Sequence, residues 1–428
     1  MNTRVLLDHE PVADGGFLVR ALLFIEGEPP PSDGRTAINL SLVLDRSGSM
    51  MGEPLAAAKD AAATLVRRLD PTDTVSVVAY DQRVRDIAPP ARGDDQALVS
   101  EAIAQIESGG TTNLSGGWLR GRDLVADGLL DGGVNRVMLL TDGLANEGIT
   151  DPATLIGLCR TAAVSGVSTT TVGFGPHFDE DLLRAMAEAG GGGAYYIERA
   201  DQAGGVFEEE LEGLLSISAQ NVRVRVRPGA DAESLKVLHD YPSHVEGHAE
   251  GETLTLEVGD LYAREPRRVL LEILLTSDME ARSEADVAEI EVEAHVLTAE
   301  GGLERRTVAL PISLTPEAGG RVDQEVRSEV VLLEAAKARE EALEAQKRGD
   351  WRAGMATLNE ASAMLRERSE YDPRVAEELD DLEQSAAQFA AEELSSADIK
   401  YMKQRSYSSR SSRREQLERY RRTKDGEE

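Results

Sequence analysis

A single cysteine, Cys159, leaves this 428-residue chain with no possible intrachain disulfide, which fits a reducing compartment. Aromatic residues are scarce, at 4% of the sequence, so any core must rest on Leu, Val, Ile and Ala. Apolar runs such as Val269 to Leu275 are too short to cross a bilayer. Met1 to Gly16 contains no apolar stretch of signal-peptide length. The expectation is a cytoplasmic protein with no membrane insertion. Positive charge is also in short supply. The formal net charge of −32 argues against nucleic acid or anionic lipid as a partner for the body of the protein and suits the binding of cations. No Gly-x4-Gly-Lys-Ser/Thr phosphate loop and no Gly-x-Ser-x-Gly nucleophile elbow occurs.

What is present divides by pattern. Residues 1–34 hold a strand-like segment, Phe17 to Ile25, that ends at Pro29-Pro30-Pro31 and a Ser-Asp-Gly turn. Residues 35–217 alternate short apolar runs with amphipathic stretches, the rhythm of an α/β domain with an open, mostly parallel sheet and helices on both faces. Within it, Val137-Met138-Leu139-Leu140 is continuously apolar, as a central strand buried on both faces should be. Residues 218–318 change to a period of two, plainest in Asn221 to Arg227, and predict an antiparallel β-sandwich that the N-terminal strand joins. Residues 322–402 are rich in Ala, Glu and Leu at helical spacing, a helical hairpin or bundle. Residues 403–428 read as a disordered basic Ser/Arg-rich tail, with nine Lys/Arg against two Glu between Lys403 and Lys424.

The chemistry gathers at strand ends. The first strand of the α/β region runs into Asp45-Arg46-Ser47-Gly48-Ser49, and the buried central strand runs into Thr141-Asp142-Gly143. A glycine-rich turn, Gly109-Gly110-Thr111-Thr112, precedes a predicted helix. In open α/β sheets, ligands bind beyond the carboxyl ends of the strands, so all three segments should reach one crevice. Their donors are hydroxyls and carboxylates with no His or Cys, a set that selects a hard divalent cation. With only two carboxylates facing it, the ion stays electrophilic and accepts a further carboxylate.

Asp-x-Ser-x-Ser, a distant Thr and a later Thr-Asp-Gly, in that order, resemble the metal-ion-dependent adhesion site of von Willebrand factor A domains. Leu140 to Gly148, Val172 to Gly175, and Asp181 through Gly190–Gly193 to Tyr196 resemble the bacterial branch related to calcium-activated chloride-channel regulators and inter-α-trypsin-inhibitor heavy chains. The resemblance implies that Ser47, Ser49 and Thr112 bind the metal directly, Thr112 depending on state, with Asp45 and Asp142 acting largely through water. Thr112 is preferred to Thr111 because Gly117, five residues later, matches the family spacing. The ion implied is Mg²⁺, with Mn²⁺ or Ca²⁺ as alternatives. Met51-Gly52-Glu53 lacks the adjacent Asp residues that feed a second metal in integrin-type domains. The function implied is a non-enzymatic protein–protein interaction module whose metal takes an Asp or Glu from a partner. The alternatives are a partner subunit of a MoxR- or chelatase-type AAA+ ATPase and a metal-dependent hydrolase.

Two weaker signals are given bland readings. His239, His244 and His248 lack Cys partners and zinc-site spacing, and read as a solvated loop. The basic tail reads as a solubilising end, with contact to RNA or an acidic surface as the sharper alternative.

Overall fold

The computed structural model describes residues 1–12, 15–28, 36–175, 177–248, 251–263, 265–276, 283–298, 303–315, 320–392 and 394–411. The Pro29–Pro31 break and the Ser-Asp-Gly turn lie outside the described residues. The chain opens with an antiparallel pair, β1 (Asn2–Pro11) and β2 (Phe17–Glu26).

The α/β unit follows. Its strands are β3 (Ile38–Asp45), β4 (Thr74–Tyr80), β5 (Val84–Arg92), β6 (Val134–Thr141), β7 (Ser168–Phe174) and β8 (Gly191–Ile197), in the order β5-β4-β3-β6-β7-β8. Only β5, on an edge, runs antiparallel. The helices are α1 (Glu53–Arg67), α2 (Gln96–Ala104), α3 (Leu114–Asp127), α4 (Pro152–Val164), α5 (Glu180–Ala189) and α6 (Ala203–Leu215). Successive side chains of a strand point to opposite faces, which explains the continuous apolar run of β6. Met138 and Leu140 join Leu42 and Leu44 against α1 and α6. Val137 and Leu139 join Val43 and Val78 against α3, α4 and α5, where Cys159 is buried.

Two antiparallel sheets form the sandwich. β9 (Ile217–Pro228), β10 (Ala232–Val237), β11 (Ser243–His248), β12 (Gly251–Tyr262), β13 (Arg267–Leu275), β14 (Ala285–Leu297) and β15 (Leu303–Leu314) arrange as β1-β2-β13-β10 and β11-β12-β9-β14-β15. Val19, Ala21, Leu23 and Ile25 of β2 face Val222, Val224 and Val226 of β9 across the core. On the other face of β2, Leu22 and Phe24 meet Val326 and Leu333 of α7 (Gln324–Lys347). Burial on both faces is why Phe17 to Ile25 is so evenly apolar.

After α7 come α8 (Trp351–Arg366), α9 (Pro373–Ala391) and α10 (Ser396–Arg410). Here the reading of 403–428 as a disordered tail is corrected, since residues 403–410 are helical and docked. Arg405, Ser406, Tyr407 and Ser408 are all buried. Composition marked these residues as solvent-seeking, but their charges meet acids contributed by distant segments. Arg405 pairs with Glu378 and Asp381, Lys403 with Glu180, and Arg410 with Asp240 and Glu340. Residues 412–428 lie outside the described residues. His239 also departs from the solvated-loop reading, because its ring is buried, 3.4 Å from Glu329 of α7, with Nδ1 accepting from Leu270 N. His244 is exposed and paired with Glu246; the side chain of His248 lies outside the described residues.

No helix among the described residues is long and apolar enough to cross a membrane.

Candidate metal centre

Chain topology chooses the place. From β3 the chain moves to β4 on one side of the sheet and later returns to β6 on the other, so the loops after β3 and β6 part at a switch point, where α/β sheets open a crevice. Leu44 lies opposite Leu140 in the β3–β6 ladder, and the next residues out of these strands are Asp45 and Thr141-Asp142. A third segment, residues 109–113, is stitched to the first by Gly48 N to Gly110 O (2.8 Å) and Gly109 N to Arg46 O (2.6 Å).

The structure brings all five candidate residues together. Asp45 is the fully buried end of β3, accepting from Ser47 N at 2.8 Å and from Thr141 Oγ1 at 2.6 Å. With both oxygens so engaged, it is placed to orient the loop. Ser47 Oγ lies 3.1 Å from Ser49 Oγ, which donates to Asp142 Oδ1 at 2.7 Å. Gly143 locates the threonine: a methyl group added there would lie 3.4 Å from Thr112 Oγ1 and 3.9 Å from Ser49 Oγ. Thr111 turns away to Glu147, at 2.5 Å on the exposed rim.

Electrostatics mark a deficit of positive charge. Burial pushes the Asp45 carboxyl up to about 6; the nearby Asp142 adds to this, and hydrogen bonds from Thr141 and Ser47 partly offset it. Burial raises Asp142 as well, against hydrogen bonds from Ser49 and Ser47 and the nearby His177. Among the described residues, neither carboxylate pairs with a Lys or Arg. Arg46 turns instead to Asp81, at 2.5 Å, and to Glu107 O at 2.9 Å. Two buried carboxylates and three convergent hydroxyls, with no Lys or Arg paired to them among the described residues, fit a hard divalent ion. No group of three or more His, Cys, Asp and Glu suited to a metal occurs among the described residues; the donors gathered here are two carboxylates and three hydroxyls.

Three supporting residues escaped the sequence reading. Asp81, just after β4, accepts from Arg46, Arg83 N and Gly110 N (3.4 Å), binding the glycine-rich turn to the serine loop. The available signal was an acid at the carboxyl end of a predicted strand. Asn113 caps α3 through Gly116 N. Tyr80, buried beneath the site, donates to Leu140 O at 3.1 Å.

Gly117 sets the height of α3. A Cβ there would lie 2.5 Å from Tyr80 Cδ1, just as one at Gly121 would lie 2.4 Å from Val43 Cγ2. Gly117→Val should therefore lift the start of α3 and the adjoining Thr112. The expected cost is about 1–3 kcal/mol of stability, as for other overpacked cores, together with weaker divalent-cation binding. Urea unfolding and metal titration of the same preparation would check both; unchanged values in each would remove the close-packing argument.

Residues 39–209 match the family model for the von Willebrand factor type A domain. The chain carries a domain of this type, and such domains generally serve as metal-dependent protein–protein interaction modules. Its relatives include the uncharacterized protein sll0103 of Synechocystis sp., 31% identical over 57% of this chain and 58% of that protein. YfbK of Escherichia coli is 30% identical over 46% of this chain and 34% of its own length. Inter-alpha-trypsin inhibitor heavy chain H1 of Mesocricetus auratus is 28% identical over 42% of this chain and 21% of its own. The chain thus spans less than two thirds of each of these relatives. Among solved structures, a von Willebrand factor type A protein from Catenulispora acidiphila has the same fold over 86% of this chain and 87% of its own, with a TM-score of 0.67 at 19% identity. The ArnB paralog VWA2 from Sulfolobus acidocaldarius matches over 95% of this chain and 98% of its own, with a TM-score of 0.58 at 14% identity.

Proposed function

We propose that this protein is a non-enzymatic interaction module that holds a divalent cation at Ser47, Ser49, Thr112, Asp45 and Asp142 and uses it to capture an Asp or Glu carboxylate of a partner protein. The observation that carries the reading is the pair of buried carboxylates, unpaired with any Lys or Arg among the described residues, converging with three hydroxyls at the switch point of the sheet. When bound, the ion would neutralise these carboxylates and offer an electrophilic position to an incoming one. Mg²⁺ suits a site of few protein ligands completed by water; Mn²⁺ and Ca²⁺ share the donor preference. The chain's own residues do the rest. Thr141 and the Ser47 amide orient Asp45, Asp81 fixes the turn that carries Thr112, and Tyr80 supports β6 from below.

The test is a pull-down from the native host's lysate with wild type and Asp142→Ala, each with and without chelator. A partner retained only by metal-replete wild type is expected. A partner that binds all four samples equally would show recognition elsewhere on the surface. The hydrolase alternative requires turnover of an ester or phosphate that Asp45→Ala abolishes; intact partner binding without turnover sets it aside.

A further inference from the structure

The last described helix reaches back to the edge of the metal centre. Lys400 of α10 donates to Gly175 O at 3.2 Å, in the turn that leaves β7. Its ammonium lies 3.8 Å from the centre of the Phe178 ring and 4.8 Å from that of Tyr196, a cation held over two aromatic faces. One turn on, Lys403 pairs with Glu180 and lies 3.4 Å from Asp181 at the start of α5. Tyr407 completes this edge against Ala187 and Ala194.

Phe178 leads inward from there. Gly173 of β7 has no side chain where a Cβ would lie 2.3 Å from that ring, so the ring closes on the backbone of β7 itself. Gly173 is the ladder partner of Thr141, and Thr141 donates to Asp45. Lys400, Phe178, Gly173, Thr141 and Asp45 are thus consecutive contacts from the C-terminal helix to the metal centre.

The two edges of α10 are held unequally. Toward the helical bundle, Arg405 is buried with Glu378 at 2.9 Å and Asp381 at 3.0 Å, and Ser406 Oγ donates to Ala336 O at 2.9 Å. Toward the von Willebrand factor A-type domain, the acids that meet Lys403 are solvent-accessible, Glu180 by 27% and Asp181 by 59%. Lys403 and Glu180 are half-buried and Asp181 is exposed, so solvent and salt screen these pairs more than the buried pairs of Arg405. The bundle edge is an anchor and the other edge is separable.

We propose that α10 is a latch: anchored on the bundle, it clamps the turn after β7 through Lys400 and the start of α5 through Lys403, with Tyr407 packed on Ala187 and Ala194, and so sets how firmly the Thr141–Asp142 side of the metal centre is held. Its effect on cation affinity rests on the metal reading above; its grip on the turn does not. By linkage, a latch that tightens cation binding is itself tightened by the cation to the same degree.

Hydrogen–deuterium exchange on the full chain tests this, with Mg²⁺ titrations alongside. In Lys400→Ala/Lys403→Ala, exchange is expected to speed up about tenfold in both 400–407 and 177–183, and Mg²⁺ affinity to fall about five- to tenfold, the ordinary range of site coupling. Lys400→Arg, which keeps a cation over the rings, is expected to retain wild-type protection, as is Lys347→Ala on the exposed side of α7. In wild type, Mg²⁺ is expected to slow exchange in both segments. Loosening of 400–407 with no change in 177–183 would overturn the latch, as would full protection in the double variant. If Mg²⁺ fails to bind wild type, the metal reading falls, and exchange at 177–183 still decides the latch.

Discussion

Asp45→Asn is expected to stabilise the metal-free protein at pH 7.5 by about 3 kcal/mol while abolishing its response to Mg²⁺. The gain follows from the buried carboxyl, whose pKa is pushed up to about 6 from the ordinary 3.8; each pKa unit is worth about 1.4 kcal/mol. The folded state holds this proton more tightly than the unfolded chain does, so stability is lost as pH rises from about 4 to about 6 and changes no further from this group above that. The contribution of Asp45 to the stability of metal-free wild type should therefore rise on acidification through this window, and the difference between wild type and Asp45→Asn should shrink accordingly. The amide preserves the shape of the loop, because its oxygen still accepts from Ser47 N and its nitrogen can donate to Thr141 Oγ1, where the carboxylate accepts in wild type at 2.6 Å. With one of two carboxylates gone, the site loses half its anionic charge and with it the cation. Chemical unfolding across a pH series, with and without Mg²⁺, measures every part of this. A variant less stable than wild type at pH 7.5 would show that the hydrogen bonds of Asp45 outweigh the cost of burying its charge.

Arg136→Met should cost about 3–5 kcal/mol, the usual penalty for breaking a buried ion pair from one side. Arg136 is a fully buried residue of β6. Its Nη2 lies 2.8 Å from Asp260 of β12, and its Nε lies 3.9 Å from Glu210 of α6. Glu210 also accepts from Thr170 Oγ1 at 2.5 Å and from Tyr195 OH at 2.9 Å. Methionine fills much of the volume but leaves two buried acids without their shared cation. Because α6 passes through Ser216 alone into β9, this network pins the last helix of the α/β unit at its junction with the sandwich. Calorimetry should accordingly resolve two transitions in the variant where wild type shows a single cooperative one. A loss under about 1 kcal/mol, with one transition retained, would mean that the junction is held by apolar packing instead.

Much of the fold was legible because local pattern and tertiary role agree. The start of α4 follows from Asp151-Pro152, an N-cap before a helical proline. The strict alternation of Val222, Val224 and Val226 announced one buried face of β9. The candidate site was legible because each donor lies at a strand end or a helix start, where sequence order and spatial convergence coincide. What escaped depends on distant partners. β1 has a mixed pattern, with Asp8 and His9 buried among its residues, and it is a strand because β2 supplies its ladder. Asp81 lies at a strand end, but its tie to the site runs through Arg46 and Gly110, contacts that spacing does not announce. The basic helix α10 looks soluble in isolation and is buried because Glu378, Asp381 and Glu180 await it. Charge complementarity between segments so far apart leaves no periodic trace.

Isothermal titration of Mg²⁺ into metal-free wild type at pH 7.5 and at pH 5 bears most directly on the central claim. One ion per chain is expected at pH 7.5, with affinity falling at pH 5 as the proton on Asp45 must be displaced, and no binding at either pH for Asp142→Ala. Absence of binding to wild type, or binding that survives Asp142→Ala undiminished, would contradict the assignment of the cation to this cluster.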